Sequence, residues 1–148
     1  MIETPRVLLI DDNPADVALI TEASARGKYR SQFHHVVDGE SAIAYLRSLR
    51  QDTESVRPDL VILDLNLPKV EGEKVLVQFK ADPGCRQIPV VVFSSSQSSQ
   101  EIARCYELGA NCYVRKAGDL AGFVAAVRSI EDFWFGSASL PDRIDRQD

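Results

Sequence analysis

The sequence predicts a doubly wound α/β domain, with five parallel strands alternating with five helices. Three observations carry that prediction. Short, mostly apolar runs recur along the chain, as expected of strands buried on both faces of a sheet. Segments with apolar residues at helical spacing separate them, which implies right-handed crossovers. The chain has 148 residues, 45% of them hydrophobic, enough for one domain with a real core.

The elements follow in order. Arg6 to Ile10, after Pro5, reads as a strand ending at Asp11-Asp12. Asn13 caps a helix with Pro14 at its first position, Val17, Ile20 and Ala23 form its stripe with Leu19 flanking, and Gly27 can stop it. Gln32 to Val37 is β-like, and Asp38-Gly39 turns the chain. Ala42, Ile43, Leu46 and Leu49 are helix-spaced, and "RQDTESVRPD" is a polar loop. Leu60 to Asp64 is a second apolar strand that ends in an acid. Val75, Leu76 and Phe79 give a helix stopped near Asp82-Pro83-Gly84. Ile88 to Phe93 is an apolar strand running into "SSSQSSQ". Ile102, Ala103, Tyr106 and Ala110 suggest a helix ending near Gly109, and Cys112 to Val114 a short strand before Arg115-Lys116. Asp119 can cap a last helix, with Leu120, Phe123, Val124, Val127, Ile130 and Trp134 on one face.

There are no internal repeats and no linker to a second domain. Residues 1–135 form the expected domain, and 136–148 a polar tail or arm apart from Leu140 and Ile144. The net charge of −5, from 17 basic and 22 acidic residues, with no Lys/Arg cluster, argues against nucleic acid. No apolar run reaches the roughly 18 residues that span a bilayer. "MIETPRVLLIDD" lacks a signal-peptide layout, so a cytoplasmic protein is expected. Cys85, Cys105 and Cys112 lack metal spacing, and His34 and His35 point to opposite strand faces, so no zinc site is expected.

In open α/β sheets the chemistry sits at the carboxyl ends of the strands. Those ends offer Asp11, Asp12, Asp64, Asn66, Ser94 and Lys116. Three carboxylates in one cleft repel: two about 4 Å apart cost roughly 4 kcal/mol at an effective dielectric of 20. A hard divalent cation relieves this through oxygen ligands, and Mg²⁺ needs few carboxylates. Such an ion invites a phosphoryl group, Lys116 adds a second positive charge, and Ser94 a hydroxyl. Asp64 is the candidate nucleophile, because its strand is expected at the centre and the following turn can lend a carbonyl to the metal.

The pieces "LLIDDNPAD", "VILDLNLPKVEG", "PVVVFSS" and "CYVRK", in this order, resemble the receiver domain of two-component response regulators over roughly Arg6 to Phe135. The resemblance implies a flavodoxin-like sheet of strand order 2-1-3-4-5. It implies that Asp64 accepts a phosphoryl group from a partner histidine kinase. Mg²⁺ would be held by Asp12, Asp64 and the backbone carbonyl of Asn66, with Asp11 acting through water. Ser94 and Tyr113 would switch on phosphorylation, and Lys116 would pair with the phosphoryl group. Such domains are classed as signalling proteins rather than enzymes. "DLNLPKVEG", "YELGANCYVRK" and "IEDFWFGSASLP" further resemble single-domain regulators paired with phytochromes, which commonly dimerise. Two departures stand out: Ala117 follows Lys116 where most receivers have proline, and Ser94 stands where threonine is commoner.

Of Phe133, Trp134 and Phe135, only Trp134 continues the last helix's stripe, so one or two of these rings must leave the core unless the last turn unwinds. With Leu140 they are the candidate homodimer contacts. Two other functions compete with the receiver reading. A Mg²⁺-dependent phosphohydrolase would use an acid where this chain has Asn66. A phosphorylation-independent scaffold usually lacks one of the acids or the lysine, all of which are present here.

Overall fold

The computed structural model describes residues 4–51 and 57–141. Its elements are β1 (Arg6–Ile10), α1 (Pro14–Ala25), β2 (Gln32–Val36), α2 (Gly39–Gln51), β3 (Leu60–Leu63), α3 (Gly72–Ala81), β4 (Val90–Ser94), α4 (Ser99–Glu107), β5 (Cys112–Arg115) and α5 (Leu120–Glu131). A π-helical turn, Asp132–Ser137, follows α5. The strands form one sheet in the order β2-β1-β3-β4-β5, every pair parallel. The expected flavodoxin-like architecture is therefore present.

Successive strand residues point to opposite faces. Leu8, Ile10, Val61, Leu63, Val90 and Val92 meet α2, α3 and α4 through Ala42, Leu46, Val75, Phe79 and Cys105. Val7, Leu9, Leu60, Ile62, Val91 and Phe93 meet α1 and α5 through Ile20, Ala23, Phe123, Val127 and Ile130. Burying each such side chain stabilises by roughly 1.5–3 kcal/mol, so a strand apolar on both sides requires helices on both sides. Among the described residues no helix is long and apolar enough to cross a membrane.

Several local expectations are revised. The second strand stops at Val36, and Val37 is half exposed. Asp38 does more than turn the chain: its Oδ1 accepts from the Ser41 amide at 2.7 Å and so caps α2. Arg50 and Gln51, read as loop, complete that helix. Residues 52–56 of the same polar stretch lie outside the described residues, as does Ile144 with the rest of 142–148. In α4 the buried residue is Cys105, while Ala103 and Tyr106 face outward, so the apolar stripe is one position out of phase with the one expected. Leu120, the first residue of α5, is 63% exposed and lies outside the buried stripe of Phe123, Val127 and Ile130.

The C-terminal aromatics divide. The widened turn, closed by the Ala138 amide donating to the Phe133 carbonyl at 2.7 Å, brings both Trp134 and Phe135 against the α1/α5 side of the core. Phe135 meets Tyr29 edge-on at 5.9 Å, and Gly136 lies so close to the Tyr29 hydroxyl that a side chain would clash. Phe133 stays 54% exposed. Next to this turn the buried carboxylate of Glu131 accepts from the Ser24 hydroxyl at 2.6 Å and the Ser31 hydroxyl at 2.7 Å, tying α5 to α1 and to the start of β2. Such a carboxylate is tolerated inside because its oxygen is doubly satisfied.

Candidate functional site

Parallel strands end at one edge, and the backbone ladder carries that register into the loops. The Asp11 amide donates to the Val36 carbonyl at 3.2 Å, Asp64 to Ile10 at 2.9 Å, and Lys116 to Ser94 at 2.8 Å. Three side chains distant in sequence are thereby pinned at neighbouring strand ends. Asp11 and Asp64 are buried, and Asp12 is exposed at the mouth of the cleft.

Lys116 lies at the centre. Its ammonium donates to Asp11 Oδ2 at 2.8 Å, to Asp16 Oδ2 at 2.8 Å and to Asp64 Oδ2 at 3.0 Å, which uses all three of its hydrogens. The Phe93 ring centroid lies 5.8 Å from it. The lysine side chain is only 7% exposed. Burial by itself would lower its proton affinity, but the hydrogen bonds to Asp11 and Asp16 and the charges of Asp64 and Asp11 outweigh it, holding the lysine charged well above its ordinary range. Asp11 moves upward from the ordinary carboxylate value. Burial is the main cause, opposed by Lys116 and by the Asn13 amide and reinforced by the charge of Asp64.

Carboxylate oxygens of Asp11, Asp12 and Asp64 all lie within 4.8 Å of one another. An all-oxygen, anionic donor set of this size suits a hard divalent cation, so these residues fit the expected metal. The Asn66 amide donates to Asp64 Oδ1 at 3.3 Å and keeps the following turn folded under the acid. That turn is tight throughout. Lys69 sits at φ 71° in a three-residue turn closed by the Val70 amide on the Pro68 carbonyl at 2.9 Å. Gly72 packs so closely that a Cβ would stand 2.6 Å from Leu65 Cα and 2.8 Å from the Asp64 carbonyl oxygen. Only glycine lets α3 start there without pushing the backbone of Asp64.

Ser94 is fully buried at the end of β4 and accepts from the Ser96 amide at 3.3 Å. Tyr113 donates its hydroxyl to the Ser96 carbonyl at 2.9 Å, so the serine loop and β5 are linked through this ring. No cis peptide bond occurs among the described residues, so Lys116–Ala117 is trans. The structure thus brings Asp11, Asp12, Asp64 and Lys116 into one cleft, with Ser94 and Asn66 at the adjoining loop ends. Phe133, Trp134 and Phe135 are not part of it: they lie in the turn that follows the C-terminal end of α5, where Phe135 meets Tyr29, and Leu140 follows that turn.

Two contributors escaped the sequence reading. Asp16 reads as an acid in a helix's first turn, a common stabilising placement, and nothing local says it reaches Lys116, 100 residues away. Its amide is held by Asn13 Oδ1 at 3.1 Å, so the cap itself aims it. Helical spacing puts Tyr106 in a core stripe with Ile102. Its hydroxyl instead accepts the Tyr113 amide at 3.0 Å, satisfying an edge-strand donor.

A site of this make-up at the carboxyl edge of a 2-1-3-4-5 sheet places the molecule among two-component signalling proteins. The chain belongs to the response regulator receiver domain family, whose model it matches over residues 7–128. It is similar to response regulator Rcp1 of Synechocystis sp., being 36% identical over 135 residues that make up 91% of this chain and 92% of Rcp1. Among solved structures it resembles the phosphorylated cyanobacterial phytochrome response regulator RcpA, at 41% identity and a TM-score of 0.88 over 95% of this chain and 100% of that one. It also resembles Mn²⁺-bound Rcp1, at 36% identity and a TM-score of 0.85 over 93% of this chain and 99% of that one. Receiver domains partner with sensor histidine kinases and are generally not classical enzymes.

Proposed function

We propose that Asp64 accepts a phosphoryl group from a phosphohistidine of a sensor histidine kinase of the phytochrome type. The observation that carries this is the pairing of a buried Asp64 with a buried, fully engaged Lys116 beside two further acids. Asp64 Oδ attacks phosphorus, a P–O bond forms, and the P–N bond to the donor imidazole breaks. Asp12, Asp64 and the Asn66 carbonyl, with Asp11 through water, would hold Mg²⁺, which would neutralise the phosphoryl charge. Lys116 orients Asp64 beforehand and turns a hydrogen toward the incoming oxygens. Ser94 and Tyr113 relay the change: Ser94 moves toward the phosphoryl group, and Tyr113 exchanges its bond to the Ser96 carbonyl for a more buried position. The output is an altered surface around β4 and β5, read by protein contact in the cytoplasm, with residues 1–135 as receiver and 136–148 as an arm. The phytochrome-type partner is supported by the likeness to RcpA.

The test is intact mass after incubation with Mg²⁺ and acetyl phosphate. The wild type should gain one phosphoryl group, and Asp64→Asn or chelation should abolish the gain. Normal labelling of the variant would sink the assignment. We also infer a homodimer contacting through the C-terminal turn, where Phe133 leaves an aromatic ring in solvent and Leu140 lies on the adjoining arm. Sedimentation should shift toward monomer for Phe133→Ala, and no shift from a dimeric wild type would remove these residues from the interface.

A further inference from the structure

We infer that Asp16 is a positioning residue for Lys116, anchoring the lysine outside the metal-binding carboxylates so that it does not compete with the cation. The inference rests on the phosphoacceptor reading above. Of the three aspartates that Lys116 touches, Asp11 and Asp64 belong to the acid cluster, and Asp16 does not. A cation entering the cluster must share Asp11 and Asp64 with an ammonium of like charge. The contact to Asp16, at 2.8 Å, is the one that the cation leaves untouched.

The chain builds this anchor deliberately. Asn13 Oδ1 accepts from the amides of both Ala15 and Asp16, fixing the first turn of α1 under the cleft. The carboxylate then stands at a helix N-terminus, where negative charge is favoured, with its side chain 22% exposed. Without Asp16 the three lysine hydrogens converge on Asp11 and Asp64 alone. The cation must then displace the lysine, and the phosphoryl group meets a lysine that is no longer held to one side.

A double-mutant cycle on Mg²⁺ affinity separates this from a simple loss of negative charge. Calorimetric titration is run on wild type, Asp16→Asn, Lys116→Met and the double variant, each first shown to unfold cooperatively. Lys116→Gln replaces Lys116→Met if the latter does not fold. Asp16→Asn should weaken Mg²⁺ binding roughly three- to ten-fold more when Lys116 is present than when it is absent. Equal weakening in both backgrounds would overturn the inference, leaving Asp16 as a distant charge. A folded wild type that binds no Mg²⁺ would instead overturn the metal reading beneath it. The same anchor should appear in the adduct yield from acetyl phosphate: at Mg²⁺ high enough to saturate both proteins, Asp16→Asn should still label more slowly than wild type. A rate fully restored by Mg²⁺ would confine Asp16 to metal entry and remove its role at the phosphoryl group.

Discussion

Asp12→Asn should make the metal-free protein more stable. Asp12 stands at the mouth of the cleft with an oxygen within 4.8 Å of oxygens on both Asp11 and Asp64. Even at full aqueous screening each such pair costs about 0.9 kcal/mol, so two cost about 1.7 kcal/mol. Lys116, bonded to Asp11 at 2.8 Å and to Asp64 at 3.0 Å, offsets part of that. Removing the charge while keeping the shape should therefore stabilise by about 1 kcal/mol, or raise the melting temperature by roughly 2–4 °C. The assay is thermal unfolding at low salt, since screening at about 0.1 M shrinks the effect. In chelator the variant should melt above wild type. In saturating Mg²⁺ the order should reverse, because the wild type gains binding energy that the variant has lost. A variant that melts at or below wild type in chelator would refute the claim that repulsion dominates at Asp12. An unchanged Mg²⁺ response would refute its role as a ligand.

Gly72→Ala should destabilise by about 1–3 kcal/mol and weaken Mg²⁺ binding, since its methyl would press on the Asp64 carbonyl; a melt and a titration of the same sample check both. Tyr106→Phe removes the acceptor of the Tyr113 amide and should cost about 1 kcal/mol, with faster hydrogen exchange at Tyr113 than at neighbouring β5 amides. Asp38 has its carboxyl held below the ordinary value, first by the Ser41 amide, then by the Ser41 hydroxyl, with Lys69 also helping against burial. A depressed folded value means its stabilisation is present above the unfolded value near 3.8 and is lost as pH falls through the folded one. Asp38→Asn should flatten the stability-versus-pH curve there, as read by denaturant midpoints across acid pH, and an unchanged slope would place the titration elsewhere.

The three central strands β1, β3 and β4 were legible because each is apolar on both faces, and β1 was bounded to the residue by Pro5 before it and Asp11 after it. The caps at Asn13 and Asp119 were legible because capping chemistry is local: Asn13 accepts from Ala15 and Asp16, and Asp119 from Gly122. Helix α4 was harder. It is nine residues long and its Ser98–Glu107 surroundings are mostly polar, so Ile102 could start either of two stripes. The side that won is the one that places Cys105 in the core beside Phe79 and Ala110.

The sequence by itself determined the alternation of elements, the acids at the strand ends and the lysine that faces them, because periodicity and capping act over a few residues. Only the tertiary structure decided that Asp16 joins Lys116, that Tyr106 seals β5, and that Phe135 folds inward while Phe133 stays out. Each of these depends on contacts made across an assembled sheet or a widened helical turn. A first-turn aspartate has the same local signature whether it faces water or a lysine 100 residues away.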